Sequence, residues 1–405
     1  MKKRLMIVLP VLMLWILCSP VFGQAPSSGQ AAKPIIIGGS LALTGIYSET
    51  AKWIKEGYQF WAEDINKRGG LLGRPVKLTL YDDEGSAEKA VTYYERVITI
   101  DKADLLSGGY PATSNVAVMP HVEKYGKVFV GMGGQKESFE QGYTYSFGSP
   151  ALISDHMYLP LQGVFDDILP KADWPKTMAV FTMNNVVGLS GRGNIVKSLQ
   201  DRGIKVVVND TYNLPLGDPT PLIGKAKEKG AELLCCLSFF DDGVMLARSA
   251  KAMNYNPKLI FQLFAPTIPA WMRELGEDGN NVISTIYWSP RLPFPDNDKI
   301  NDVIKTRYKL PSPPQYFGYA YCWMKTLELA VQAAGTLDNK TIRDTLRSHK
   351  FDLPYGLGIT FDDKGLPPAK NSAYAVQTTK GIPEIIWPKN VATTKVIYPR
   401  PNWGK

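Results

Sequence analysis

The stretch "IIIGGSLALTGIYSETAKWIKEGYQFWAEDINKRGGLLGRPVKL", residues 35–78, decides the fold class. Three isoleucines followed by Gly-Gly-Ser-Leu-Ala-Leu read as a buried strand. The chain then turns through Thr44-Gly45 and runs without proline to the break at Gly69-Gly70. Within that run Trp53, Gly57, Phe60, Trp61 and Ile65 recur at three- and four-residue spacing, which gives a helix one apolar face, with Ser48 as its expected cap. "VKL" opens a second strand. Strand, helix and strand over this distance form a βαβ unit, whose crossover favours parallel pairing.

Outward from this unit the alternation continues. "VKLTLYDDE" is a strand, "SAEKAVTYYERVITID" a helix, "ADLLSGGY" a strand, "ATSNVAVMPHVEKY" a helix that Pro120 bends or ends, and "KVFVGMG" a strand. The rhythm restarts near residue 178 with strands in "TMAVFTMN", "IKVVVNDTYN", "AELLCCLSFF", "PKLIFQLF" and "VISTIYWS". Helices in "LSGRGNIVKSLQDRG", "DPTPLIGKAKEKG" and "GVMLARSAKAMNY" lie between them. Proline-rich segments interrupt after residue 289, followed by helices near 314–334 and 339–348 and strand-like "LGITFDD" and "NSAYAVQTTKG". The expected fold is α/β, with two doubly wound parallel-sheet lobes.

The first residues stand apart. "MKKR", the apolar "LMIVLPVLMLWILC" and "SPVFGQA" have the order of a secretory signal, with cleavage expected after Gly23, so residues 1–23 are read as a signal peptide. The remainder is expected to be exported, soluble and periplasmic. The net charge of +8 falls to +5 once Lys2, Lys3 and Arg4 leave, and the remaining charges are scattered, so nucleic acid is not indicated. Of the 4 cysteines, Cys235, Cys236 and Cys322 remain; an odd number with two neighbours on one strand reads as buried free thiols, not as a disulfide framework.

Ligands of open α/β sheets bind beyond the carboxyl ends of the strands. Three first-lobe loops there are rich in glycine and hydroxyl residues: "LTGIYS" (43–48), "GGYPATS" (108–114) and "GMGGQ" (131–135). Glycine allows close backbone approach, and helix N-terminal N–H groups receive anions such as carboxylates. In the second lobe "NNVVGLSG", "SFFDD" and "LFAPT" occupy the equivalent ends and are more apolar, with Phe239, Phe240 and Phe264 as candidate walls. No enzyme is expected. The 3 histidines, His121, His156 and His349, lack metal-ligand spacing, and the glycine patterns match neither a phosphate loop nor a dinucleotide fingerprint, so no metal and no cofactor is expected.

The "TG…G…A…IN…GG-LG-P-V" framework and the "DDEGSAEKA" after it resemble the branched-chain amino-acid (Leu/Ile/Val) binding proteins, type I periplasmic solute receptors of ABC importers, over roughly residues 34–395. The resemblance implies two lobes joined by a three-crossover hinge near 148–150, 286–290 and 355–358. The lobes are then 34–149 plus 289–355 and 150–288 plus 356–405. It implies a monomer that closes on a small carboxylate-bearing ligand and is recognised by the importer's membrane permease subunits.

Matched residue by residue, it implies a ligand site of Tyr47, Tyr110, Thr113 or Ser114 for the carboxylate, Gly133, Gly134 and Gln135, Phe239 or Phe240, and Tyr316, Phe317 and Tyr319. Two positions depart from the pattern. Val187 replaces a tyrosine, and Ala265 with Pro266 stand where a carboxylate usually meets the ligand ammonium, leaving Asp241 or Asp242 as a substitute. The ligand is therefore a hydrophobic or branched-chain amino acid, or an aromatic or aliphatic acid lacking the amino group. A periplasmic sensor serving a signalling partner is the other reading of the same fold.

Overall fold

A computed structural model describes residues 32–132, 136–150, 157–368 and 373–404. The expected signal peptide over 1–23, His156 and the site candidates Gly133, Gly134 and Gln135 lie outside the described residues.

The opening stretch folds as its periodicity implies. Strand β1 (Ile35–Leu41) pairs in parallel with β2 (Val76–Asp82) in continuous register, Ile35 opposite Val76 through Leu41 opposite Asp82. β3 (Leu105–Ser107), β4 (Phe129–Gly131) and β5 (Ser146–Gly148) extend the sheet in the order β2-β1-β3-β4-β5, all parallel. Between strands run helices α1 (Ser48–Lys67), α2 (Ala87–Thr99), α3 (Ala112–Lys124) and the short α4 (Lys136–Phe139). Two local expectations need correction. Ser48 lies inside α1, whose N-cap is Tyr47, because a single 3-10 turn over Gly45–Tyr47 already starts the coil. Pro120 neither ends nor breaks α3; it is exposed, and the helix continues to Lys124.

The short α5 (Leu159–Gly163) leads into the second sheet, to which the preceding Met157 is tied by its carbonyl accepting from the Thr285 hydroxyl at 2.9 Å. Parallel strands β6 (Thr177–Met183), β7 (Lys205–Tyr212), β8 (Leu233–Leu237), β9 (Leu259–Gln262) and β10 (Ile283–Ile286) alternate with α6 (Val186–Asp201), α7 (Thr220–Glu228), α8 (Phe240–Ala252) and α9 (Ala270–Leu275). The chain then passes through α10 (Asn297–Arg307), α11 (Gln315–Ala334), α12 (Asn339–Ser348) and the hairpin β11 (Phe351–Leu353)–β12 (Gly356–Ile359). It returns as β13 (Tyr374–Thr379), antiparallel to β10, and β14 (Ile382–Trp387), antiparallel to β13, which complete a seven-stranded sheet, β14-β13-β10-β9-β8-β6-β7. The fold is α/β in two lobes with sheets that are parallel except for this late hairpin.

α11 belongs with the first sheet although it is far away in sequence. Its backbone lies so close to α1 that a Cβ on Gly57 would sit 2.4 Å from the Phe317 carbonyl oxygen. Around that contact Phe60 meets Phe317 and Tyr321 at ring distances of 5.7 and 5.6 Å, and Tyr58 meets Trp323 at 6.2 Å. One turn on, the buried Glu328 carboxylate accepts from Trp61 Nε1 at 2.8 Å and pairs with Arg68 at 3.1 Å and Lys325 at 2.9 Å. A carboxylate withdrawn from water needs such partners to remain charged.

The stretch after the hairpin also lies on the first sheet, with the Gly148 N–H donating to the Gly365 carbonyl at 3.0 Å and Phe147 against Phe361 at 5.6 Å. At the crossover after β5 the Ser149 hydroxyl bonds to Thr326 Oγ1 at 2.6 Å and to the Tyr355 hydroxyl at 2.9 Å. Cys235, Cys236 and Cys322 are free and buried, as their apolar settings imply.

Candidate functional site

The carboxyl ends of the two sheets converge. Tyr47, ahead of α1, stands edge-on to Tyr110 at 5.9 Å within its own lobe and to Phe239 of the opposite lobe at 5.5 Å. Tyr316, in the first turn of α11, meets Tyr110 at 5.4 Å and Phe264, which follows β9, at 6.3 Å. Phe264 in turn lies parallel to Phe239 at 6.4 Å. These five rings form a chain that passes from one lobe to the other and back.

The rings enclose an inner cavity of about 330 Å³ lined by Tyr110, Ala112, Met132, Met157, Val187, Phe239, Phe264 and Tyr316. Its walls are apolar with few polar groups, the make-up of a small-ligand site. None of those lining residues is an acid or a base. Ala112 is the first residue of the thirteen-residue α3, so the start of that helix lies at the cavity wall; the Ser114 and Asn115 N–H groups there donate to the Pro111 carbonyl at 3.1 and 3.4 Å. The buried Ser114 hydroxyl finds no hydrogen-bond partner among the described residues.

A second, outer cavity of about 370 Å³ adjoins the first. Its lining is Ile46, Tyr47, Leu214, Pro215, Leu216, Phe239, Asp241, Asp242 and Met245. Asp242 is 3% exposed and caps α8, accepting from the Phe239 N–H at 3.3 Å and from the Tyr212 hydroxyl. Burial pushes its carboxyl up from 3.8 to about 6, against those hydrogen bonds, which favour the ionised form. Burial, and then the Asp242 charge, raise the Tyr47 phenol as well.

This has a measurable consequence. The folded protein holds the Asp242 proton more tightly than the unfolded chain does, so ionising it weakens the fold. The penalty is absent below about pH 4, grows as pH rises to about 6 and is complete above. Asp242→Asn cannot ionise and keeps an acceptor for the cap. Relative to wild type, its unfolding free energy is expected to rise by about 3 kcal/mol between pH 4 and pH 7. Denaturant titrations showing parallel pH profiles for the two proteins would refute this.

Of the residues anticipated from sequence, Tyr110, Val187, Phe239, Phe264 and Tyr316 line the inner cavity, while Tyr47, Phe239, Asp241 and Asp242 line the outer one. Thr113 and Ser114 lie in the first turn of α3 beside Ala112 but are not among the lining residues of either cavity. Tyr319, Ala265 and Phe240 line neither cavity. The Tyr319 hydroxyl accepts from the Tyr287 N–H at 2.8 Å and donates to Gln315 at 2.5 Å, Gln315 bonds to Thr267, and this buried string ties α11 to the loops after β9 and β10. Ala265 is fully buried in the turn after Phe264, and Phe240 opens α8. Asp241 and Asp242 are part of that helix's first turn. The reading of the residues missed Ala112, Met132 and Met157. The first two sit in loops that their glycines had marked, whereas Met157 carries no signal in its neighbourhood.

With this geometry in place, the matches to known proteins fall into line. The profile of the periplasmic binding protein family matches residues 34–381, and the chain belongs to that family. The family consists of solute-binding proteins, not enzymes. The chain is 25% identical over 346 residues to the leucine-, isoleucine-, valine-, threonine- and alanine-binding protein of Pseudomonas aeruginosa, covering 84% of this chain and 88% of that one.

Among solved structures, a leucine-binding protein from Thermotoga maritima superposes with a TM-score of 0.77 at 18% identity, covering 87% of this chain and 97% of that one. A solute-binding protein of an ABC transporter from R. palustris, in complex with benzoate, gives 0.76 at 16% identity, with 87% and 96% covered. At these identities the structural likeness speaks for the fold. Among the described residues no helix is long and apolar enough to cross a membrane.

Proposed function

We propose that the protein is the exported, monomeric receptor of an ABC importer, and that it closes its lobes on a small hydrophobic carboxylate lacking an ammonium group. One observation carries the ligand class: the inner cavity is lined by aromatic rings, methionines, an alanine and a valine, with no acid among its described lining residues. A buried ammonium without a counter-charge costs several kcal/mol, whereas a carboxylate has the start of α3 at the cavity wall, and behind it a Ser114 hydroxyl with no partner among the described residues. Tyr110, Val187, Phe239 and Tyr316 are its proposed contacts, with Thr113 and Ser114 beside Ala112 at the start of α3, and Tyr47 backs Phe239 from the outer chamber. The benzoate held by the R. palustris protein of the same fold is a ligand of this kind.

Closure needs no chemistry. Tyr110, Ala112, Met132 and Tyr316 come from one lobe, and Met157, Val187, Phe239 and Phe264 from the other, so the full wall exists only when the lobes meet. A ligand that touches both walls shifts the equilibrium toward the closed form by its differential affinity, and the permease would read that form. We place the third crossover after Leu366, later than the 355–358 expected from the resemblance, because Phe361 and Gly365 pack on β5.

The P. aeruginosa relative's name favours a second reading, in which the ligand is an aliphatic amino acid. Calorimetric titration of the refolded mature protein separates the two. Benzoate or 4-methylpentanoate is expected to bind at least about a hundredfold more tightly than phenylalanine or leucine. The reverse order would assign the amino acids and reject the acid reading.

A further inference from the structure

The inner and outer cavities are neighbours, and among the described residues Phe239 alone lines both. Its ring lies parallel to Phe264 on the inner side and meets Tyr47, a wall of the outer chamber, at its other contact. We propose that Phe239 is the specificity-determining partition of the site: its ring closes the inner chamber and so sets the greatest length of ligand the protein accepts. This deepens the reading of the inner chamber as the ligand site and rests on it.

The local structure allows such a role. Phe239 is the residue before α8, and its contribution to the helix start is the backbone N–H that Asp242 accepts. The ring is not part of that cap. It is partly buried and held in place by the two aromatic neighbours, so its removal opens space while leaving the helix start intact. The space beyond is shaped for a particular extension. Ile46, Leu214, Pro215, Leu216 and Met245 make it apolar, and Asp241 and the buried Asp242 give it acidic groups but no base. A tail that passed the partition would have to be apolar or hydrogen-bond donating, and a second carboxylate would be rejected. The intact ring confines the native ligand to one ring, or one short branched chain, attached to its carboxylate.

The experiment is a length series. Benzoate, 3-phenylpropionate and 5-phenylpentanoate are titrated calorimetrically into the mature wild-type protein, Phe239→Leu and Phe239→Ala, with a parallel uncharged series from toluene to pentylbenzene followed by NMR. Wild type is expected to bind the shortest member of each series best. Phe239→Ala should shift the ratio of short-ligand to long-ligand dissociation constants toward the long ligand by about tenfold or more, with Phe239→Leu in between. Phe239→Leu also guards against an alanine variant that fails to fold. Equal weakening of short and long ligands in both series would overturn the partition. Failure of every acid to bind, while the uncharged ratio still shifts, would reject the carboxylate reading and leave the partition standing.

Discussion

Gly57→Val is expected to cost about 3 kcal/mol of stability, a large share of the roughly 5–15 kcal/mol that keeps a domain folded. A Cβ there would lie 2.4 Å from the Phe317 carbonyl oxygen and 2.8 Å from the Ala320 Cβ, so neither flexible side chain nor solvent can absorb the extra volume. The two helices would have to separate, and every ring contact along their seam, together with the hydrogen bond from Trp61 to buried Glu328, would lengthen. Gly193 supplies the control. It lies exposed inside α6, where an added Cβ meets nothing within 4 Å, and Gly193→Ala should stabilise by about 0.5–1 kcal/mol through helix propensity alone. Denaturant midpoints that moved equally for the two variants would contradict the close-packed seam.

The second large effect is electrostatic. Val187→Asp is expected to weaken binding of a monocarboxylate by about a hundredfold or more, because two carboxylates a few ångströms apart repel strongly where water is excluded. Val187 is buried on the inner cavity and lies in the first turn of α6, where the helix N-terminus offsets part of the cost of burying an acid, so binding is compared on variant protein shown to be folded. The same substitution supplies the missing partner for an ammonium group, and leucine or phenylalanine should gain what benzoate loses. Unchanged benzoate affinity, with intact circular dichroism, would mean that the carboxylate binds outside this chamber.

Much of the architecture was legible because it is local. The three- and four-residue spacing of Trp53, Gly57, Phe60, Trp61 and Ile65 gave α1, and the continuous apolar runs gave the parallel strands. What escaped was set by context. "NDKINDVIKTR" is too polar and too close to prolines to announce α10, yet its few apolar residues, Ile300, Val303 and Ile304, are buried. "IPEIIW" is not read as a strand; its Pro383 is tolerated in β14 because that strand is the sheet's edge. α6 begins at Val186, earlier than its glycines suggested, because Asn185 caps it by accepting from the Gly188 N–H at 2.9 Å.

The site divides the same way. Strand-end glycines and hydroxyls pointed to the loops around Tyr47 and Tyr110. Met157, and the sharing of Phe239 between two chambers, depend on how the lobes meet, which no short window of sequence records.

The pairing of α1 with α11 also bears on how the chain reaches its folded state. The aromatic face that α1 offers from residue 48 onward is covered by a helix ending at Ala334. All five strands of the first sheet are thus made long before the layer that seals them, and a chain emerging from its N-terminus cannot complete that core until four-fifths of it has been produced. Contacts so distant in sequence slow the search for the native state. Until α11 has been made, the aromatic face of α1 stays uncovered and the unfinished lobe remains pliable and open to chaperones and proteases.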